Sequence, residues 1–424
     1  MNTSQVSAAG AFGPLTRMFA FGMVLLGAFA HQAGAQAVCE ATDHGMRADG
    51  SNNVAALTKT LAECAGQRIH FAHGMYTFSP TGLAAGFTVP ANTALTGDGS
   101  QGPHQTVFRI AASGNFNALL WVRNVSNVSI AGIRFEGTTY ESGCTRHLDY
   151  GHAIYVQSDS GQRHSVESVH IANNAFHDFN GQSWITINAA DGSPGVGLHS
   201  EIALNNNLFD SDANLSGGCA ATGGIVYPVV MVWLHGADKS AHGLVSNVGV
   251  ASNTFNAAYV KGAVAIWSGT NRISVQDNQI HDVGQRLPPA PGTELGRYAI
   301  LVYNSAHELP GLHPETVWIV GNEITNPVSC GIYVAAGMDL EISRNRISGQ
   351  SDRHDATLPK GAIALNHAAK VRAKDNELSN NYIGIASEGS EVELGNNRIA
   401  GGTPMKIVRG EPGWSQNRKD LAAP

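Results

Sequence analysis

Charged residues are scarce in this 424-residue chain: Asp, Glu, Lys and Arg make up 14% of it, and the formal net charge is only −7. A protein that binds nucleic acid needs clustered Lys and Arg to neutralise phosphates, and no basic run occurs here. An anionic membrane surface would attract a basic face as well. We therefore expect neither nucleic acid nor a membrane as partner, and the composition leaves the oligomeric state open.

Long apolar runs are also missing, apart from a short one near the N-terminus. Arg17 precedes an apolar stretch over 18–30, which is short for a spanning helix, and Ala35-Gln36-Ala37 offers small residues for a cleavage site. This pattern predicts a signal peptide over 1–37 and a secreted or periplasmic mature chain that begins near Val38. The alternative is an uncleaved N-terminal anchor.

Cysteine is rare, with five copies, all beyond the predicted signal. An oxidising compartment favours disulfides. Cys39 begins the mature chain and Cys64 ends a predicted helix, so a bridge between them would fasten the N-terminal segment. Cys144 and Cys219 lie in inserted loops that can be joined if they lean together. Cys330 opens a core strand and is expected to be free and buried.

One residue pattern is abundant: an asparagine two positions before an apolar residue, in frames such as Val317-Ile319-Asn322-Ile324. A unit of some twenty residues cannot bury its own apolar face, so repeated units must stack and share a core. A single turn asparagine is common, but eight in one frame require a repeat. The eight copies are Asn174, Asn207, Asn253, Asn278, Asn322, Asn345, Asn376 and Asn397.

Each unit carries short runs with period-two alternation and has no room for a helix. The 49 glycines fit short strands and tight turns. The sequence therefore predicts an all-β parallel β-helix of roughly ten coils. Asparagine suits the turn because it tolerates left-handed angles and because its side-chain amide can bond up and down a stack of identical neighbours. The predicted parts are an N-terminal cap and first coils over 38–120, repeats over 121–410 and a tail over 411–424.

One helix is predicted, from about Asn53 to Ala65. Val54, Leu57 and Leu61 share one face, Asn53 is a candidate N-cap and Gly66 a stop signal. We expect this amphipathic helix to cover the open end of the first coil.

The N-terminal part of the chain carries five short motifs: Asp43-His44-Gly45, Ala48-Asp49-Gly50-Ser51, Ile69-His70-Phe71, Gly74-Met75-Tyr76 and Ala94-Leu95-Thr96-Gly97-Asp98-Gly99. They resemble the opening of the pectate lyase superfamily of right-handed β-helices, although Ala72-His73 stands where that family usually has a proline. The resemblance spans essentially the whole mature chain and implies a right-handed parallel β-helix with a capping segment. It also implies extracellular attack on polysaccharide, by elimination or hydrolysis, and the fold cannot choose between them.

The family's substrate groove usually lies on the strands that follow the long loops. Aligning those strands by their apolar positions leaves an outward face rich in aromatic rings and amides, which suits sugar rings and hydroxyls. The alternative is that the rings fill space under the loops. The predicted face comprises Tyr155, Gln157, Thr186, Asn188, Trp233, His235, Trp267, Tyr303, Tyr333 and Asn366, with His152 beside it.

Three cations precede these strands: Lys261, Arg297 in the next coil, and Lys360 two coils further on. Rungs of a sheet lie about 4.8 Å apart, so Lys261 and Arg297 can share one anion, such as a uronate carboxylate. Arg297 would bind that carboxylate and Lys261 would be the base that removes the C5 proton, with His235 and Tyr303 as rivals. The alternative is a solvated pair of surface cations.

Hydrolysis needs two carboxylates, about 5 to 9.5 Å apart. The ten residues of the predicted face include no Asp or Glu, so a hydrolase would take its pair from the loop carboxylates Asp149, Asp210, Asp212 and Glu294. Asp210-Ser211-Asp212 is the best such candidate and is equally an ordinary turn. The same shortage argues against a calcium-bridged lyase. No His-Glu-x-x-His or Cys-x-x-Cys motif is present, so no metal or other cofactor is predicted. A glycan-binding β-helix without catalysis is the third hypothesis.

Overall fold

The computed structural model describes residues 37–79, 86–110, 118–137, 152–157, 166–177, 179, 183–189, 198–211, 230–236, 243–287, 297–304, 312–352 and 360–407. The described coils belong to one unit that begins at Val38. The predicted signal segment, the tail over 411–424, Asp149, Asp212, Glu294, Cys144 and Cys219 lie outside the described residues.

Each coil runs through three short strands, and corresponding strands of successive coils pair side by side into three parallel sheets. The predicted parallel β-helix is therefore confirmed. Two sheets contain twelve strands each within the described residues, about two coils more than predicted, because the first coils carry no ladder asparagine by which to count them.

The first sheet contains the strand that precedes the asparagine turn. Its strands are β1 (Val38–Glu40), β3 (Arg68–Phe71), β6 (Ala94–Gly97), β9 (Val128–Ala131), β12 (Val166–Ala172), β15 (Leu198–Asn205), β18 (Leu244–Ala251), β21 (Thr270–Gln276), β24 (Glu315–Val320), β27 (Met338–Ser343), β30 (Ala369–Lys374) and β33 (Val392–Gly395).

The second sheet contains the short strand after that turn. Its strands are β2 (Asp49–Asn52), β4 (Gly74–Phe78), β7 (Thr106–Ile110), β10 (Ile133–Glu136), β13 (Ala175–His177), β16 (Leu208–Asp210), β19 (Thr254–Asn256), β22 (Gln279–His281), β25 (Glu323–Thr325), β28 (Arg346–Ser348), β31 (Glu377–Ser379) and β34 (Arg398–Ala400).

The third sheet follows the loops of variable length. Its strands are β5 (Phe87–Thr88), β8 (Ala118–Arg123), β11 (His152–Gln157), β14 (Ser183–Asn188), β17 (Val230–His235), β20 (Gly262–Ile266), β23 (Tyr298–Tyr303), β26 (Cys330–Ala335), β29 (Gly361–Asn366), β32 (Ile383–Glu388) and β35 (Thr403–Ile407).

The three sheets enclose one continuous apolar core. Like residues stack in it from coil to coil: the rings of Phe135, Phe176, Phe209 and Phe255 are stacked with neighbouring centroids 4.6 to 5.0 Å apart. No single coil could bury these rings, so the stacking itself creates the core.

The eight predicted asparagines form one buried column between the first and second sheets. Oδ1 of Asn345, for example, accepts hydrogen bonds from the backbone N–H (3.0 Å) and from Nδ2 (3.0 Å) of Asn322. Nδ2 of Asn322 also donates to the carbonyl of Val275 in the preceding coil, at 2.9 Å. The pattern continues from Asn174 to Asn397, so each amide replaces the backbone pairing that the turn interrupts.

The conformational reason predicted for these asparagines is wrong. The residue with positive φ is the one before each ladder asparagine. The preceding residues are Asn173, Asn206, Ser252, Asp277, Gly321, Arg344, Asp375 and Asn396. The other predicted reason is confirmed, since the side-chain amides of the ladder bond to one another along the stack.

The predicted helix is present as α1 (Val54–Glu63), and its buried Leu57 and Leu61 join the main core. Its role as a cap stays a prediction. Asn53 occupies the N-cap position but makes no side-chain capping bond, because its amide bonds to the backbone of Arg47 and Ser51. The predicted disulfide between Cys39 and Cys64 is formed.

Candidate functional site

The outer face of the third sheet, here called the groove face, is defined by strand register. In β11, Ile154 and Val156 point into the main core, whereas Tyr155 belongs to a separate cluster outside it. The register carries this alternation through the coils. All ten residues of the predicted face lie outward as the alignment predicted: Tyr155, Gln157, Thr186, Asn188, Trp233, His235, Trp267, Tyr303, Tyr333 and Asn366.

Four rings form a continuous aromatic patch on three successive coils. Trp233 stacks on His235 with centroids 5.3 Å apart, and Trp267 contacts Trp233 edge-on at 5.0 Å. Tyr303 lies 5.3 Å beyond Trp267. Trp233, Trp267 and Tyr303 are half-buried and rest on a second apolar cluster outside the sheet, which includes Ala265 and Leu301. These three rings therefore pack against this cluster while part of their surface stays accessible to solvent.

Amides on the groove face are held by tyrosine hydroxyls beneath them. Nδ2 of Asn188 donates to the hydroxyl of Tyr155 at 2.9 Å, and Nδ2 of Asn366 to that of Tyr333 at 3.3 Å. Both tyrosines are nearly buried, whereas both asparagines are half-exposed. The tyrosines fix the orientation of the amides.

His152 is the least accessible of the predicted binding residues, at 2% exposed. Its Nδ1 donates to the carbonyl of Ser183 at 2.8 Å. Burial lowers the pKa of His152 to about 4, so the ring is neutral at pH 7. It lies under the groove face and not on it.

Lys261 and Arg297 occupy neighbouring coils, immediately before β20 and β23. Their backbones are joined, since the N–H of Tyr298 donates to the carbonyl of Lys261 at 3.0 Å. Burial, and then the positive charge of Arg297, lower the pKa of Lys261. Within the described part of the chain, the Lys261 ammonium makes no hydrogen bond or ion pair. Burial and the neighbouring cation both disfavour the charged form of Lys261, and a nearby anion would stabilise it.

Arg297 is anchored from two sides. Its Nη1 donates to the carbonyl of Gly284 at 2.7 Å, and its backbone N–H donates to Oγ of Ser329 at 3.1 Å. Burial lowers the pKa of Arg297, and the charge of Asp352 opposes that shift. The guanidinium is thus held in a fixed orientation.

Lys360 lies two coils beyond Arg297, as predicted, and is ion-paired. Its Nζ is 2.6 Å from Oδ2 of Asp352, which also accepts a hydrogen bond from Ser329 at 3.3 Å. The sequence reading missed Asp352, because it lies in a connection outside the strand pattern. Asp352 neutralises the charge of Lys360. Lys360 therefore differs from Lys261, which makes no ion pair within the described part of the chain.

The sequence reading also missed two charged residues on the outward rows. Arg123 pairs in register with Gln157 and lies 4.6 Å over the ring of Trp121. Glu388 pairs with Asn366 and is 6% exposed. The outward rows therefore hold one carboxylate that the predicted face lacked. The alternation of inward and outward positions in β8 and β32 could have identified Arg123 and Glu388 as outward residues.

Asp210 ends β16 in the second sheet, so its prediction as a loop residue was wrong. Its carboxylate lies 3.8 Å from Nδ1 of His177 in the preceding coil. Asp210 is thus on a different sheet from the groove face, and its predicted partner Asp212 lies outside the described residues.

Among the described residues, one group of His, Cys, Asp or Glu side chains is close enough to hold a metal ion: Cys39, His44 and Cys64. It lies at the first coil. None of the helices in the described ranges has the length and apolarity needed to cross a membrane.

Comparison with known proteins agrees with this architecture. Residues 262–407 match the family model described as a right-handed β-helix region. No curated protein matches the sequence.

Three solved structures share the fold. A surface adhesin of Streptococcus pneumoniae is 12% identical, covers 87% of this chain and 91% of its own, and has a TM-score of 0.58. Endo-xylogalacturonan hydrolase from Aspergillus tubingensis is 9% identical, and the match covers 88% of this chain and 95% of the hydrolase, with a TM-score of 0.53. The A-module of a mannuronan C-5 epimerase from Azotobacter vinelandii is 13% identical, and the match covers 88% of this chain and 96% of the module, with a TM-score of 0.50. The chain thus has the right-handed parallel β-helix fold.

Proposed function

We propose that this protein acts on a uronic-acid-containing polysaccharide and cleaves it by β-elimination on the groove face. The observation that carries the proposal is Lys261, a half-buried lysine of lowered pKa that lies beside Arg297 and has no anionic partner among the described residues. A uronate carboxylate supplies the missing anion.

The chemistry follows from the two side chains. Arg297 binds the carboxylate and draws charge from it, which acidifies the adjacent C5 proton. Lys261, in its neutral form, accepts that proton. The electrons of the C5–H bond form a C4–C5 double bond, and the C4–O bond breaks. The departing oxygen then takes up a proton. His235 and Tyr303 are the rival bases, because both lie on the same face.

The aromatic patch supplies a surface on which sugar rings stack. Rings of Trp and Tyr present apolar faces to the C–H surface of a sugar. Nε1 of Trp233 is buried without a hydrogen-bond partner in the described chain, and an unmet donor of this kind costs about 1–3 kcal/mol. A sugar hydroxyl that reached it would relieve that cost. The oriented amides of Asn188 and Asn366 extend the same face.

Proteins with the same fold support the substrate class. Two of the similar structures are named for galacturonan and mannuronan substrates, which are polymers of uronic acids. We propose that the segment over 1–37 is a signal peptide and that the mature protein is secreted or periplasmic, where it would meet an extracellular polysaccharide.

A panel of acidic and neutral polysaccharides tests the proposal, with ultraviolet absorbance and reducing ends followed together. Elimination yields an unsaturated, absorbing product with each new reducing end. Reducing ends without absorbance would instead indicate hydrolysis through the loop carboxylates. Binding without either product would indicate a glycan-binding protein.

C-5 epimerisation is a second candidate, favoured by the mannuronan C-5 epimerase among the similar structures. It begins with the same removal of the C5 proton, and the proton then returns to the opposite face while the C4–O bond stays intact. In heavy water, epimerisation would place deuterium at C5 of an uncleaved polymer. Elimination shortens the polymer, so one experiment separates the two.

A further inference from the structure

Cys39, His44 and Cys64 converge at the first coil, and we name them the sulfur–imidazole cluster. Cys39 lies in β1, His44 ends the short 3-10 helix Ala41–His44, and Cys64 follows the last residue of α1. The two sulfurs and a ring nitrogen of His44 all lie within 4.8 Å of one another. Cys39 and Cys64 form a disulfide, which by itself requires no histidine.

The contact with Glu63 determines which ring nitrogen of His44 carries the proton. Nδ1 of His44 is 2.6 Å from Oε2 of Glu63, and a carboxylate only accepts hydrogen bonds, so Nδ1 carries the proton. In the neutral ring, the lone pair of Nε2 then faces Sγ of Cys39 at 3.1 Å. A disulfide sulfur has no proton to offer that lone pair.

A carboxylate that holds one nitrogen of an imidazole, while the other nitrogen faces a binding centre, is the usual support of a metal-bound histidine. Two thiolates and one imidazole are ligands that suit Zn²⁺. Two thiolate charges balance the charge of the ion, so the neutral complex tolerates burial, and both cysteines are buried.

We propose that the sulfur–imidazole cluster is a zinc site when the disulfide is reduced. A thiol or phosphine reductant supplies two electrons, two protons complete the thiols, and the reductant is oxidised. Zinc then displaces both thiol protons and binds Cys39, Cys64 and Nε2 of His44, with water as the fourth ligand. Disulfide and zinc are alternative links between β1 and α1.

Cobalt titration of the full mature chain tests the site. Cys144→Ser, Cys219→Ser and Cys330→Ala remove the other thiols, and circular dichroism checks that the β structure persists. After reduction with a phosphine in metal-free buffer, one equivalent of Co²⁺ should produce a sulfur-to-cobalt charge-transfer band that Zn²⁺ removes. The oxidised form of the same chain should produce none.

Two variants identify the ligands. Glu63→Gln keeps all three ligands and should weaken zinc binding about 10–100-fold, the effect of losing a supporting carboxylate. His44→Ala should weaken it more. Lys59→Ala, which removes the other neighbour of Glu63 on the helix surface, is the control and should change nothing.

A reduced chain that binds no cobalt would overturn the proposal, as would equal affinity in the His44→Ala chain.

Discussion

Lys261 and Arg297 immediately precede paired strands of adjacent coils, and burial, then the positive charge of Arg297, lower the pKa of Lys261. Arg297 is fixed by the carbonyl of Gly284, whereas Lys261 has no such partner in the described residues. The two cations are therefore suited to different tasks: one binds an anion in a set orientation, and the other transfers a proton.

Each cation should be required for turnover. On a uronic-acid polymer that the protein cleaves, Lys261→Ala and Arg297→Ala should each lower kcat by at least about a hundredfold, the effect of losing a positioned proton-transfer group or an anion-binding group. Lys59→Ala, an exposed lysine on α1, is the control. Initial rates of ultraviolet absorbance measure the effect, and retention of activity in Lys261→Ala would shift the role of base to His235 or Tyr303.

The aromatic patch should contribute to binding more than to stability. Trp267→Ala and Tyr303→Ala should each weaken oligosaccharide binding several-fold to about tenfold, as expected for one aromatic contact of about 1 kcal/mol. Calorimetric titration measures the affinity, and thermal unfolding shows whether Tm stays within a few degrees. Trp318→Ala, a half-buried tryptophan on the outer face of the first sheet, should leave affinity unchanged. A large fall in Tm for both groove variants would mean that the rings serve mainly in packing.

The asparagine column should be necessary for stability. Asn322→Leu removes the acceptor of two donors of Asn278 and the amide that pairs with Val275 and Asn345. Leaving such buried groups unpaired should lower the free energy of unfolding by about 1–3 kcal/mol. Gln279→Leu, at the exposed position that follows Asn278 in the preceding coil, is the control. Denaturant unfolding measures both, and an unchanged midpoint in Asn322→Leu would show that the column is dispensable.

The column and the groove face were predictable because both repeat. Each ladder asparagine fixes the register of its coil, and alternation in the next strands then assigns Trp267 or Tyr303 to the outward face. Residues in the connections obey no such period. The ladder spacing varies from 21 to 46 residues, so the connections differ in length from coil to coil. Asp352 and Lys360 stand eight residues apart at the two ends of one such connection, and no periodic pattern predicts that these two ends meet.

The first coils should be most stable in mildly acidic solution. Nδ1 of His70 faces Glu40 at 2.7 Å and Nε2 faces Asp98 at 2.8 Å, and two carboxylates require protons on both nitrogens. Although burial opposes it, these bonds raise the pKa of His70 above 6.5, and the bond with His70 leads the causes that lower the pKa of Asp98 below 3.8. The stabilisation is thus complete between the ordinary pKa of Asp98, 3.8, and that of His70, 6.5. It is lost as the pH rises through the folded pKa of His70, and also as the pH falls through the folded pKa of Asp98.

His70→Gln should therefore lower Tm most near pH 5–6, and the difference from the native chain should shrink as the pH rises through the folded pKa of His70, which lies above 6.5. Other groups facing this contact are His73, which also bonds Asp98, His104 against His73, and Tyr76, whose hydroxyl bonds the carbonyl of Ala72. His281→Gln is the control, because that ring contacts the hydroxyl of Thr325 and no carboxylate. A pH-independent difference for His70→Gln would contradict the imidazolium.

Activity should survive removal of calcium. A calcium-bridged lyase surrounds the ion with several hard oxygen ligands, whereas the described outward rows of the third sheet contain one carboxylate, Glu388, which is nearly buried. The anion-binding role falls to Arg297, which needs no metal. Turnover of the uronic-acid polymer should stay within about twofold after dialysis against a calcium-selective chelator, and added calcium should not raise it. Loss of activity that calcium restores would show that carboxylates outside the described residues complete a cation site, and Lys261 and Arg297 would then act beside that ion.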